Sequence, residues 1–593
     1  MNTLTDDKIE SNYKGNAFLR LLTYMKPYWG WFLLCLVLVL ALTGFDLYRP
    51  ILIGDAIDSF ESRGDYDAIL QTAYKYGIVL ALSFIFNIAQ TWILQKNGQK
   101  IILTVRKELY AHIQSLSSRY FDLTPVGKLV TRVTNDVDAL DEMYSGILVR
   151  LFRNVIKIIG LAIVMLTLDW KLALLSFILL PVVAVLTALF RKIARKAFRL
   201  TRTKLTDLNT FLSENISGMR IIQIFGREAR KYEEFEQKST GLYRAFYREM
   251  LVFAVFRPLI YILSVLSLMI VLGVGSKDVL NMTISVGTLY IFAQYIQSFF
   301  DPIQELAEQF STLQSSLASA EKIFTIMDEE ALVPEIDNPT RLKEIKGKIE
   351  FDHVWFAYDN ENYVLRDVSF CIEPGQKVAF VGATGAGKSS ILNLIGRYYD
   401  VQKGHIYIDD VDIRELSKQQ LRSAIGQMQQ DVFIFEGTVE SNIRLNDTDI
   451  SLEEVKEAAE YVNASHFIEK LPHGYSEPVS ERGATFSAGE RQLLSFARTL
   501  AHKPSILVMD EATANIDTET EVLIQDSLEK MKNIGTMLVV AHRLSTIQHS
   551  DNIILLSNGE IIEQGTHQEL LHQKGKYYKL YTLQFSKQQI EKK

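Results

Sequence analysis

Gly382-Ala383-Thr384-Gly385-Ala386-Gly387-Lys388-Ser389 fits the spacing G-x-x-x-x-G-K-[ST] at every fixed position. A short apolar run, Lys377 to Val381, leads into it, and Ser390 opens a helical pattern that runs to Ile395. Glycines let the backbone fold tightly enough for successive amides to point at phosphate oxygens. The helix that follows adds its free N–H groups and its positive end. Lys388 is suited to holding the β- and γ-phosphates and the Ser389 hydroxyl to ligating Mg²⁺. The chemistry these residues imply is binding of a nucleoside triphosphate.

Other residues suit the same site. Ser505 to Glu511 is an apolar run ending in two carboxylates, Asp510 and Glu511. A buried strand would place Asp510 where it orients Mg²⁺ or its water, and Glu511 just beyond the strand end where it activates or positions the attacking water. Met537 to His542 is a second apolar run ending in a polar residue; His542 either contacts the γ-phosphate or attacking water, or packs as a structural histidine. Gln430, before Asp431, reaches Mg²⁺ or water, or sits in a surface turn. Tyr358 stacks on a base or packs in a core.

The elements that must position these residues fall into two kinds. The chain has 593 residues, enough for several domains. Its net charge of -7 offers no global cationic surface, which argues against nucleic acid as the main partner. Cys35 and Cys371 are its two cysteines, too few for a disulfide framework or a repeated metal motif. The apolar residues concentrate before residue 310. Six stretches, at 29–53, 73–95, 147–168, 171–190, 250–275 and 283–305, approach the length needed to cross hydrocarbon. The loop after the first carries Arg63 as its one basic residue, whereas 96–132 and 191–248 are densely basic. Basic loops stay cytoplasmic, so both chain ends are expected inside. Within the spans, Asp46 and Arg49 stand three apart on one helical face, where they form a local ion pair or face an aqueous cavity. Arg257 and Asp301 are candidates for pairing between helices or for substrate recognition, and the last span carries Tyr290, Phe292, Gln294, Tyr295, Gln297, Phe299 and Phe300, suited either to packing or to an amphipathic ligand.

The expected architecture is a multidomain chain: an N-terminal cytoplasmic segment at 1–25, a six-helix transmembrane domain with long cytoplasmic helical extensions at 26–325, a linker at 326–348, and an α/β P-loop nucleotide-binding domain with a helical subdomain at 349–593.

In order along the chain, Tyr358, the phosphate loop, Gln430-Asp431, Phe486-Ser487-Ala488-Gly489-Glu490, Asp510-Glu511, Asn515-Ile516-Asp517 and His542 resemble the ATP-binding cassette exporters, half-transporters whose membrane domain precedes the nucleotide-binding domain. The resemblance spans nearly the whole chain. It implies ATP and Mg²⁺ as cofactors, a cell-membrane location with the nucleotide-binding domain cytoplasmic, and ATP hydrolysis coupled to transport. It also implies that residues 486–490 are a signature, normally Leu-Ser-Gly-Gly-Gln, that closes over ATP held by a partner domain, with Asp517 near the same site. Phe486, Ala488 and Glu490 depart from that pattern: Ala488 adds a methyl group and Glu490 a negative charge near phosphate. On this reading the partner is a nonidentical half-transporter, as in heterodimeric bacterial multidrug exporters, and the cargo is a hydrophobic or amphipathic compound. A homodimeric lipid or peptide exporter, or an ATP-gated channel or regulatory membrane protein, are the alternatives. The regions Tyr120 to Leu129 and Phe211 to Gly226 resemble the two cytoplasmic coupling segments of such exporters.

Overall fold

The computed structural model describes residues 14–591 except 64–65, 331–332, 337, 360, 430–431, 481–482, 484, 511–517, 532–533 and 541–546. Contacts divide the chain into two units: the first takes in residues up to 114 together with 126–329, the second residues 115–125 together with 330–593.

The first unit is helical. It contains α1 (Lys14–Met25), α2 (Trp29–Arg63), α3 (Tyr66–Ser115), α4 (Leu148–Leu168), α5 (Leu180–Ser217), α6 (Glu228–Leu280) and α7 (Val286–Met327). Many apolar side chains on these helices point outward, among them Leu33, Leu40, Phe84, Ile85, Ile159 and Ile163. A helix satisfies its own backbone groups, so such a surface suits hydrocarbon. The expected count of six spans is corrected: among the described residues, five helical stretches are long and apolar enough to cross a membrane, and α7 is not one of them. Gln294, Gln297 and Asp301 dilute its apolar character.

Close helix approach depends on small residues. A Cβ on Gly287 of α7 would lie 2.2 Å from the Gly54 carbonyl oxygen of α2, and one on Gly54 would lie 2.9 Å from the Gly287 oxygen. Both positions exclude a side chain so that the two backbones meet. Asp58 secures the contact, accepting from the Gly287 N–H at 2.7 Å and the Ser285 hydroxyl at 2.6 Å. Asp46 pairs with Arg49, as their spacing implied, and is also approached by Arg153 at 3.4 Å. Phe292, Tyr295, Phe299 and Phe300 of the last helix are buried in one core with Leu161, Met165 and Phe256. Within this unit their role is therefore packing.

The second unit holds two main sheets. One is antiparallel, in the order β2-β1-β4-β5, from β1 (Ile349–Phe356), β2 (Leu365–Ile372), β4 (Lys403–Ile408) and β5 (Val411–Asp412). The other has the order β12-β11-β3-β10-β9-β6. Its β3 (Lys377–Val381), β6 (Ile425–Met428), β9 (Ile506–Asp510), β10 (Thr536–Val540) and β11 (Asn552–Ser557) pair in parallel, and β12 (Glu560–Gly565) closes one edge antiparallel. All five residues of β3 and of β10 are buried, and all but the leading Lys377 and Thr536 are apolar, the near-continuous apolar pattern of a parallel sheet covered on both faces. A small helical region carries the pair β7 (Gly437–Thr438) and β8 (Pro478–Val479).

Asp412, at the end of β5, anchors this unit electrostatically. It accepts from the Arg414 side chain at 2.6 Å, the Arg414 backbone N–H at 2.9 Å and His405 Nδ1 at 2.7 Å. Burial pushes its carboxyl up, but these hydrogen bonds outweigh burial and hold it at about 2, below the ordinary 3.8. A depressed folded-state value stabilises the fold above the unfolded value, and that stability is lost as pH falls through the folded one. Asp412→Asn is thus expected to cost about 2 kcal/mol at pH 7 and almost nothing near pH 2. Calorimetry of the full chain across that window checks it; a pH-independent difference would contradict it.

Candidate nucleotide-binding site

The site forms where parallel strands end. In an open α/β sheet, ligands lie beyond the carboxyl ends of the strands. Val540 of β10 stands opposite Phe380 of β3 on one side and Asp510 of β9 on the other. The phosphate loop leaving β3 and the carboxylate ending β9 therefore occupy one edge, two strand spacings or about 10 Å apart.

The loop itself is shaped by its glycines. Gly385 and Gly387 hold φ of +82° and +103°, left-handed backbone that favours glycine. A Cβ on Gly387 would also meet Leu365 Cδ2 at 2.6 Å, and one on Gly382 the Leu556 carbonyl oxygen at 2.3 Å. Helix α8 (Lys388–Ile395) follows, with Gly387 at its N-cap and no side chain capping its amides. An anion there meets helix N–H groups that a capping side chain would otherwise take. Lys388 is 6% exposed, and its Nζ donates to the Gly382 and Ala383 carbonyls at 2.8 and 3.1 Å. The ammonium is thereby held across the mouth of the loop. Ala383, Thr384 and Ser389 are exposed, whereas Ala386 and Ser390 are buried.

Tyr358 lies beside the loop. Its hydroxyl is 3.0 Å from Ser390 Oγ, and its ring meets Phe356 and Tyr399 edge to face at 4.7 and 5.0 Å. Packing and exposure coexist here, because the residue keeps 36% of its surface open. Tyr399 carried no signal in the sequence reading beyond being an aromatic after the loop helix. Gln430, Asp431, Glu511, Asn515, Ile516, Asp517 and His542 lie outside the described residues.

Residues 486–490 form the start of α9 (Ala488–Ala501). Ser487 Oγ accepts from the Glu490 N–H at 3.3 Å while Glu490 Oε2 accepts from the Ser487 N–H at 2.8 Å. This reciprocal cap satisfies two amides that a helix start leaves open. Phe486 is buried against Phe467, at 6.0 Å between ring centroids, and its carbonyl accepts from Arg491 at 2.6 Å. Ala488 is exposed. The departures at 486 and 490 thus have local structural reasons: an apolar pocket for one, a helix cap for the other.

The donor set fits Mg·ATP. Among the described residues no three His, Cys, Asp or Glu side chains gather to hold a metal. A serine hydroxyl and one strand-end carboxylate remain, and Mg²⁺ takes such sparse protein ligation when phosphates and water complete its octahedron.

Residues 32–303 match the ABC transporter transmembrane region and residues 365–514 the ABC transporter family model. The chain is 41% identical to the ABC transporter ATP-binding protein exp8 of Streptococcus pneumoniae serotype 4, over 95% of this chain and 97% of that one. It is 33% identical to the ATP-dependent lipid A-core flippase of Syntrophus aciditrophicus, over 98% and 97% respectively. A solved bacterial Atm1-family ABC exporter with ATP bound superposes with a TM-score of 0.78 at 27% identity, covering 93% of this chain and 98% of that one.

These likenesses correct two expectations. The solved relative is an Atm1-family exporter, not a half-transporter of the heterodimeric multidrug type, so that assignment and the nonidentical half-transporter partner are both withdrawn. Their physical premise also weakens, since the Glu490 carboxylate is engaged as a helix cap. The chain belongs to the ABC transporters: it is a multi-pass membrane protein whose cytoplasmic domain binds ATP with Mg²⁺ and hydrolyses it as a translocase coupled to the transmembrane domain.

Proposed function

We propose that two copies of this chain pair head to tail and export an amphiphilic lipid. The observation that carries the reading is the end-to-end likeness to a lipid A-core flippase, 33% identical over 98% of this chain. Two further features support self-pairing. The Ser487–Glu490 cap keeps the start of α9 intact as a surface for a second copy's nucleotide. The short helix Met219–Ile224, in the second coupling region, leaves Ile216, Ile221, Ile224 and Phe225 more than three-fifths exposed, apolar groups that need a partner surface.

The residues divide the work as follows. Tyr358 stacks on the adenine ring, and the backbone from Gly382 to Ser390 cradles the phosphates with Lys388 as the counter-charge. Ser389, Asp510 and Gln430 would hold Mg²⁺, which would supply charge neutralisation at the phosphate oxygens. Glu511 orients and deprotonates water, with His542 steadying the γ-phosphate end. Phe486, Ser487, Ala488, Gly489 and Glu490, with Asp517, complete the site of the second copy. Long helices then carry the closure of the paired domains toward the membrane.

Proteoliposomes containing the purified chain as sole protein test this. With Mg·ATP, a headgroup-labelled phospholipid is expected to cross the bilayer faster than with a non-hydrolysable analogue. A chain that hydrolyses no ATP until a different half-transporter is added would sink the self-pair. ATP-driven movement of a membrane dye with no lipid movement would sink the lipid cargo.

A further inference from the structure

Segment 115–125 belongs to the nucleotide-binding unit, although the chain on both sides of it belongs to the helical unit. Ser118–Leu123 forms a short helix there. Its Asp122 carboxylate accepts a hydrogen bond from the Tyr399 hydroxyl. Tyr399 is 8% exposed, and its ring stands perpendicular to Tyr358 at 5.0 Å, with Phe356 packed at 5.6 Å. Tyr358 in turn touches Ser390, on the first turn of the helix that follows the phosphate loop, through hydroxyls 3.0 Å apart. One continuous set of contacts therefore runs from the phosphate loop through two tyrosines to a segment joined covalently to α3.

We propose that Tyr399 is a positioning residue that couples occupation of the base site to the order of segment 115–125. The proposal rests on the reading of Tyr358 as the base-stacking residue. Tyr358 offers solvent part of its surface and meets Tyr399 with its ring. A base laid on the open part restricts the Tyr358 ring, and the perpendicular packing passes that restriction to Tyr399. Tyr399 has two ends with different tasks: its ring registers Tyr358, and its hydroxyl holds Asp122. Phosphate alone fills the loop without stacking on the ring, so triphosphate without a base acts on Tyr358 only through its Ser390 contact. The segment thereby responds to the base as well as to the phosphates.

The test is hydrogen exchange on the full chain in lipid nanodiscs, comparing Mg²⁺ with AMP-PNP against Mg²⁺ with inorganic tripolyphosphate, both saturating. AMP-PNP is expected to slow exchange of the amides at 118–124 about fivefold more than tripolyphosphate does, the scale set by holding one hydrogen bond. Tyr399→Phe keeps the ring and removes the hydroxyl; it is expected to abolish that difference while AMP-PNP affinity stays within about twofold. Asp122→Asn retains an acceptor and preserves the difference, whereas Asp122→Ala behaves like Tyr399→Phe. Equal protection by the two probes, or undiminished protection in Tyr399→Phe, overturns the proposal. Tyr358→Ala separates the two readings. Unchanged AMP-PNP affinity in that variant removes base stacking itself, while lost affinity alongside undiminished protection in Tyr399→Phe spares stacking and removes only the coupling.

Discussion

Lys388→Ala is expected to lower ATP turnover by about 10²- to 10³-fold, the range seen when one preorganised group facing developing charge is removed. The reason lies in how the ammonium is held. It is nearly buried, and its Nζ is bonded to two carbonyls of the loop it closes. Arriving phosphate oxygens offer that cation a stronger, charged acceptor, while the helix amides behind it contribute only partial charge. Alanine leaves those amides and the glycine-shaped loop in place but removes the full charge. Lys388→Arg is not expected to restore turnover, since a planar guanidinium needs more room than the loop mouth provides. Phosphate release by the purified chain measures the effect, and an unchanged melting curve shows that the fold is intact. Turnover within about twofold of the parent protein would remove Lys388 from a central role, because that is far below what one such group supplies.

How far these properties were legible in the residues depends on whether local spacing or distant contact carries them. The phosphate loop was fully readable, because its glycines, lysine and serine act within one turn of chain and the strand and helix beside it obey simple periodicities. Asp510 was readable as a strand end, but its level with Phe380 depends on β10 lying between, which needs the sheet order. In the sequence Glu490 reads as a charge against phosphate. The spacing Ser487-x-x-Glu490 is also a helix-cap signature, and the structure shows the carboxylate used that way. In α7 the aromatic residues had two readings, and periodicity cannot separate a packed face from a ligand-lined one; burial of Phe292, Tyr295, Phe299 and Phe300 does. Asp122 and Tyr399 are 277 positions apart, and no pattern along the chain joins them. The same limit applies to the partner: a departure from a family motif says what changed in one segment, not what surface a second chain brings to it.

Glu511→Gln is expected to reduce ATP hydrolysis by about 10²- to 10⁴-fold, the contribution of a positioned general base, and to stop export with it. Gln keeps the shape of the side chain and one accepting oxygen, so the substitution removes the negative charge and with it proton acceptance. On the proposed reading ATP binding relies on other groups: the loop from Gly382 to Ser390, Lys388 and Tyr358. The expected signature is therefore a fall in kcat and kcat/KM by the same factor with nucleotide affinity retained, the pattern of an interaction made only in the transition state. The fold gives this its geometric sense. Glu511 follows directly on Asp510, the last residue of β9, at the sheet edge to which β3 delivers the phosphate loop. On the proposed reading the strand-end carboxylate of Asp510 serves the metal and Glu511 serves the attacking water. Lys388→Ala and Glu511→Gln thus separate cleanly: both lose hydrolysis, but only the first should also weaken ATP binding. Equilibrium binding of ATP to each variant, alongside phosphate release and lipid movement in proteoliposomes, makes the distinction. Hydrolysis and export undiminished in Glu511→Gln would remove this carboxylate from the mechanism and leave His542 as the next group to replace.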